Sequence, residues 1–174
     1  TKRRAEEIDY HPRVNGRLEF MKCHVCKKGR MVAKTVSETI ELDGAPTFEI
    51  EGVETLECDA CHDTLIDTVN GRARTKKILA KLIQYYSPRM TEVPGKVVHW
   101  MRHAIGLSQT DLAEEVGGID PSTFAHASAR NTLIDQYAAF VLLSLCADFV
   151  TGKTEGHKLI EKTKKVDKIL GMAS

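Results

Sequence analysis

The chain has 174 residues, 42% hydrophobic and 28% charged, with a formal net charge of +1. That length holds one ordinary domain or two small ones, and the near-neutral balance excludes a polycation, so any nucleic-acid contact must come from a local patch. No apolar run approaches the roughly 18–20 residues that a membrane span needs, which excludes an integral helical membrane protein.

Residues 1–20 are polar and basic at the start (Lys2, Arg3, Arg4), which predicts a flexible N-terminal arm. Met21-Lys22-Cys23 reads as a natural start, so part of the arm is expected to be either an artificial addition or an upstream extension, and no function is placed on it.

Two motifs follow, Cys23-His24-Val25-Cys26 and Cys58-Asp59-Ala60-Cys61, and they hold four of the five cysteines. Each Cys-x-x-Cys can set two thiolates on one tight knuckle at about 2.3 Å from a metal ion, and two knuckles complete a tetrahedron. The spacing predicts one structural zinc per chain, held by Cys23, Cys26, Cys58 and Cys61 and closed to water. A pair of disulfides is the alternative, but such frameworks staple small secreted chains, and no export signal is evident. A thioredoxin-like redox site needs one such pair beside a βαβ pattern, which is absent. The thiol-rich motifs therefore point to a reducing cytoplasm. His24 and His62 are expected to stay exposed, because four thiolates already fill the tetrahedron. A filled site has no open position for catalysis, and no Asp/Glu/His constellation stands at an acid–base spacing. The expectation is not an enzyme.

Between the knuckles, 30–40 and 47–57 carry strand-like alternation, with Asp43-Gly44 as the turn. Knuckle, strand, turn, strand, knuckle is a zinc ribbon over 21–66. So small a sheet cannot bury enough apolar area alone, and metal binding would supply the missing folding free energy. From Asp67 to Gln84 a helix is predicted, with Val69, Ala73, Ile78, Leu79, Leu82 and Ile83 as its apolar stripe. Its cations (Arg72, Arg74, Lys76, Lys77, Lys81) suit either a solvated face or DNA phosphates. Ser87-Pro88 and Pro94-Gly95 break helical continuity and close a connecting segment over 67–93.

The region 94–150 reads as helices. The first runs from Lys96 to Ile105 with Val97, Trp100, Met101 and Ala104 inward, and stops at Gly106. Ser108 is the expected N-cap of the next, with Asp111 at its positive end and Leu112, Ala113 and Val116 inward. Gly117-Gly118 makes a turn, Asp120-Pro121 opens a further helix, and Phe124 anchors it. Ile134 to Ala147 is a longer apolar helix, with Tyr137, Ala138, Val141, Leu142 and Leu145 packing inward and Cys146 buried. Two short helices across a glycine turn are the layout of a helix-turn-helix. In that role Ser108 and Gln109 approach the DNA backbone, and Ser122, Thr123 and His126 face the bases. The fold class is therefore α+β: a small zinc-ribbon β domain followed by an all-α helix-turn-helix domain of the lambda-repressor-like kind, with a Lys-rich tail over 151–174.

The order Met-Lys-Cys-x-Val-Cys, two strands, Cys-x-x-Cys, connecting helix and Gly-Leu-Ser-Gln-Thr-Asp-Leu-Ala resembles the MqsA-type antitoxins. The likeness covers roughly Met21 to Ala147. It implies a homodimer through the helical domain and binding to double-stranded operator DNA with repression of the protein's own operon. It also implies that the zinc domain neutralises a cognate ribonuclease toxin. Cys23, Cys26, Cys58 and Cys61 match the family's metal ligands, and Gln109 the start of its second helix. The family's base-reading Asn and Arg fall on Ser122 and His126 here, and the preceding turn is one residue longer. An Arg–guanine contact contributes about 1–3 kcal/mol that these residues do not replace. Two rivals stand beside the antitoxin: a regulator of this build without a toxin, and a protein-interaction module that has lost DNA binding.

Overall fold

The computed structural model describes residues 21–66 and 68–153, with only the backbone of Thr68 and Val69. The expectations for the arm, for the Val69 side chain and for the Lys-rich tail beyond residue 153 lie outside the described residues. Among the described residues the fold is α+β, a three-stranded sheet followed by five α-helices. Strands β1 (Met31–Ile40) and β2 (Phe48–Cys58) form a hairpin, and β3 (Thr64–Leu65) pairs antiparallel with β2, Leu56 opposite Leu65. Helices α1 (Thr68–Tyr86), α2 (Gly95–Ala104), α3 (Gln109–Glu115), α4 (Ser122–Arg130) and α5 (Gln136–Thr151) follow, with a 3-10 segment (Ser87–Glu92) after α1. No described helix is long and apolar enough to cross a membrane.

The chain forms two compact units. Among the described residues, the knuckle unit comprises 21–37 and Glu51–Arg72, and the helical unit comprises Glu38–Ile50 and 73–153. The division falls inside the hairpin. Its tip belongs with the helices because Ile40 and Ile50 are buried there. Polar contacts fix it too. Tyr86 donates its hydroxyl to the Gly44 carbonyl at 3.0 Å, Arg74 forks onto Glu38, and Lys96 pairs with Asp43.

In the knuckle unit three of the four paired cysteines contribute to the core. Buried Cys23, Met31 and Cys58 pack with Met21, Cys26, Leu56 and Leu65. The predicted alternation of β1 does not become a buried face: only its end residues, Met31 and Ile40, are buried. A single-layer sheet has nothing to cover most of its surface. Along β2 the buried positions shift from Ile50 to Val53 and Thr55. That change of parity falls at Gly52, whose φ of 65° is the left-handed conformation found at glycine bulges.

In the helical unit, α2 packs on α4 and α5, α3 on α4, and α5 on the 3-10 segment. Ile78, Leu79, Leu82 and Tyr86 give α1 one inward stripe, and Val97, Val98 and Met101 of α2 and Leu142 and Cys146 of α5 are buried as well. Each fully buried aliphatic contributes about 1.5–3 kcal/mol. Ala73, expected on the α1 stripe, is exposed, and Trp100 is only half-buried. Tyr137 is 58% exposed, contrary to its expected inward position. On α5 the neighbouring faces carry Ala138, Ala139, Leu142 and Leu143, which fill the interior without it.

Local chemistry sets the helix ends. Ser108 and Asp111 form a reciprocal capping box, the Asp111 amide donating to Ser108 Oγ at 3.0 Å and the Ser108 amide to Asp111 Oδ2 at 3.1 Å. α3 ends where Gly117 and Gly118 adopt φ of 104° and 78°, with the Gly118 amide donating to the Ala113 carbonyl at 2.8 Å. Asp120 accepts from the Ser122 amide at 2.8 Å and so opens α4, and that amide holds its carboxyl below the usual range. Asp135 caps the start of α5, accepting from the Tyr137 amide at 2.8 Å.

Candidate metal centre and helix-turn-helix face

Both knuckles are built alike. In each, the residue after the second cysteine turns left-handed (Lys27 at φ 58°, His62 at φ 57°). Each of those residues donates its amide to the carbonyl of the first cysteine at 3.0 Å, Lys27 to Cys23 and His62 to Cys58. Amides also point at the sulfurs: Gly29 at Cys26 Sγ over 3.4 Å, and Ala60 and Cys61 at Cys58 Sγ over 3.4 and 3.5 Å. At Cys26 such a donor favours thiolate over thiol.

The knuckles are tied to one another. Arg30 donates its amide to Asp59 Oδ1 at 2.8 Å, and the Asp59 amide returns to the Arg30 carbonyl at 3.0 Å. The result brings the four sulfurs of Cys23, Cys26, Cys58 and Cys61 within 4.8 Å of one another. The pairs that cross between knuckles, Cys23–Cys61 and Cys26–Cys58, are 3.6 and 3.7 Å apart. Four sulfurs at about 2.3 Å from one ion lie about 3.8 Å apart along a tetrahedron's edges. A disulfide would require about 2.05 Å, and all five cysteines are free. The cluster can hold one metal ion.

The sulfurs differ in ionisation. The Gly29 and Lys28 amides bring the Cys26 thiol down to about 6. At Cys61 the Asp63 amide favours the thiolate, yet burial and the three neighbouring sulfurs hold it up to about 12. A divalent cation relieves that repulsion and draws the proton off.

Gly29, which the sequence reading passed over, is the residue that lets the knuckles close. A Cβ placed there would stand 2.4 Å from Cys58 Sγ and 2.7 Å from Ala60 Cβ. The sequence signal was available, since a glycine three positions after the second cysteine stands where a knuckle's chain must pass under its neighbour. His24 and His62 are exposed, as expected. His24 lies 3.9 Å from Asp63 Oδ2, and His62 pairs with Glu57 at 3.2 Å. Cys146 is fully buried, burial pushes its thiol up, and it is far from reactive.

In the helical unit, α3, the Gly117–Gly118 turn and α4 form the helix-turn-helix layout, which fits a possible DNA-binding domain. Ser122, Thr123 and His126 all lie exposed on α4. Ser108 is also exposed, but its hydroxyl is engaged with Asp111 at 2.5 Å, and Gln109 is half-buried. Beneath them Arg102 is buried without a carboxylate partner within ion-pair distance among the described residues. It donates to the Leu107 carbonyl at 2.5 Å and so pins the turn between α2 and α3. Two of the three base-facing candidates, Thr123 and His126, also line a cavity of about 360 Å³ together with Phe124, Ala127 and Ala138. The basic run on α1 is partly consumed within its own unit. Arg74 holds Glu38, and Lys76 reaches the Val150 carbonyl at 3.4 Å and sits over the Phe149 ring.

No protein-family model matches the chain, and no curated protein matches it either.

Proposed function

We propose that this chain is a zinc-stabilised regulator that binds operator DNA as a dimer through its helix-turn-helix. The observation that carries the reading is the exposed face of α4, with Ser122, Thr123 and His126, set after the capped α3 and the Gly117–Gly118 turn. Ser and Thr donate to or accept from base edges, and Arg130 at the end of the same helix adds a cation for phosphate. Zinc suits the metal site because four thiolates in a tetrahedron select it among common divalent ions. The filled coordination sphere favours a structural ion over a catalytic one. The antitoxin role rests on the resemblance of the module order to MqsA-type antitoxins, and there the toxin contacts a face or edge of the ribbon rather than the metal.

A second reading is a protein-interaction module without DNA binding. The apolar cavity beside α4 and the single charged side chain of that helix, Arg130, favour it.

A gel shift with the protein's own upstream DNA, run at two salt concentrations, separates them. A sequence-preferring shift that weakens with salt supports the regulator, and its absence sinks that reading. Capture of a co-encoded ribonuclease by the full chain supports the antitoxin role, and a chain that regulates DNA without any such partner overturns it.

A further inference from the structure

Arg102 is only 6% exposed, so its guanidinium has to find acceptors within the helical unit. It has two. Nη1 donates to the Leu107 carbonyl at 2.5 Å, and Nη2 reaches Nε2 of His103, its exposed neighbour, at 3.0 Å. A guanidinium only donates, so the His103 nitrogen that faces it is a bare lone pair, and the neutral ring carries its hydrogen on Nδ1. The His99 ring, one turn earlier on α2, stands edge-on to the His103 ring with centroids 4.4 Å apart. These contacts converge on the end of α2. The Leu107 amide returns to the Arg102 carbonyl at 2.9 Å, and the Gly106 amide donates to the His103 carbonyl at 3.0 Å. The next residue, Ser108, is the cap of α3.

We propose that His103 is an acid-sensitive latch on the turn between α2 and α3: its neutral ring steadies the buried Arg102 on Leu107, and protonation of that ring lets the turn loosen. The latch goes beyond the DNA reading above and does not depend on it. Protonation places an N–H where Arg102 already points one, so two donors meet and a second positive charge stands beside a buried one. The charged groups around the latch do not offset this. On α2 itself they are Arg102 and His99, and both oppose a charge on His103. From α3, Asp111 acts on the Arg102 charge, but its carboxylate is engaged by the Ser108 amide and hydroxyl. Helices α4 and α5 also pack on α2, and among the described residues neither adds a charge that acts on His103. Partial desolvation of the ring, then Arg102, then His99 hold His103 below the usual histidine value. For a base depressed in the folded state, the stabilisation is complete above the unfolded value of about 6.5 and is lost as pH falls from there through the folded one.

The test compares the full chain at about pH 7.5 and about pH 5.5, a window that spans histidine titration and stays above the carboxylate range. Two readouts report on the helical unit. One is the urea midpoint followed by the fluorescence of Trp100, the single tryptophan, which lies on α2. The other is the protection of the Leu107 amide against hydrogen exchange. In the wild type both are expected to fall in acid, the protection by about three- to tenfold, as loss of one hydrogen bond implies. His103→Gln offers Arg102 an acceptor that does not titrate, and should hold both readouts level across the window. His103→Ala offers none, and should show the low acid values at either pH. His103 is exposed, so neither substitution disturbs the core. A wild type whose two readouts ignore pH overturns the proposal. An acid response that persists undiminished in His103→Gln overturns it too, and assigns the response to His99 or another group. So does a His103→Ala chain that matches the wild type at neutral pH. None of these readouts involves DNA, so failure of the latch and failure of the regulator reading are seen separately.

Discussion

Gly29 and Cys58 approach so closely that a methyl group on the glycine would meet the cysteine sulfur at 2.4 Å. The two belong to different knuckles, and their contact sets how near the four thiolates can come. Gly29→Ala is expected to displace Cys58 Sγ or open the knuckles, and to weaken metal binding by about 10–100-fold, as alteration of a supporting shell does. Competition titration with a metal indicator checks this. An unchanged affinity would mean that the knuckles tolerate a wider separation than their geometry implies.

Because Cys23 and Cys58 are core residues as well as candidate ligands, loss of a bound ion would take away the centre of the knuckle unit. A strong chelator is expected to abolish the dispersed amide signals of residues 21–37 and Glu51–Arg72, while most helical circular dichroism persists. Refilling with Co2+ should give the intense visible bands of a tetrahedral thiolate site. Proton release should accompany loading at neutral pH, since Cys61, held up to about 12, must ionise. Affinity therefore falls as pH falls.

Gly95 starts α2 where the end of α4 crosses it. A Cβ there would lie 2.2 Å from both the carbonyl carbon and the carbonyl oxygen of Ala127, and those are backbone atoms that cannot rotate aside. The loop after α4 reinforces the junction, with the Gly95 amide donating to the Thr132 carbonyl at 2.8 Å. Gly95→Ala is expected to cost about 1–3 kcal/mol in urea unfolding of the helical unit. A neutral result would show that α2 and α4 can separate freely.

The Arg74 guanidinium grips Glu38 with two nitrogens, Nε at 2.6 Å from Oε2, and holds its carboxyl below the usual carboxylate range. A depressed folded-state value means that the pair stabilises above the unfolded-state value and that this contribution is lost as pH falls through the folded one. Glu38→Gln is expected to cost about 0.5–1 kcal/mol at pH 7, in the range for a partly exposed pair. The difference from wild type should vanish in acid below the carboxylate range. Paired melts at several pH values measure it, and a difference independent of pH would assign the effect to packing.

The sequence by itself determined what depends on neighbours along the chain. Cys-x-x-Cys spacing forms a knuckle whatever lies around it, so Cys23, Cys26, Cys58 and Cys61 were legible as one cluster. Ser108 with Asp111 and Gly117 with Gly118 likewise act within a single turn, and they placed the ends of α3 without knowledge of its partners. Strand β3, two residues long, carries no period that a sequence could reveal.

What the tertiary structure alone decided were relations between distant segments. Apolar character put Tyr137 in the interior and Trp100 deep between helices, yet α5 offers more apolar faces than the core can receive, and Tyr137 is left outside. The hairpin tip looked like part of a ribbon, but Tyr86, Arg74 and Lys96 draw it into the helical unit. Gly29 and Gly95 are ordinary glycines until another backbone or sulfur arrives beside them. Local patterns state what a side chain prefers; which preferences are met is settled only when the elements compete for the same limited interior.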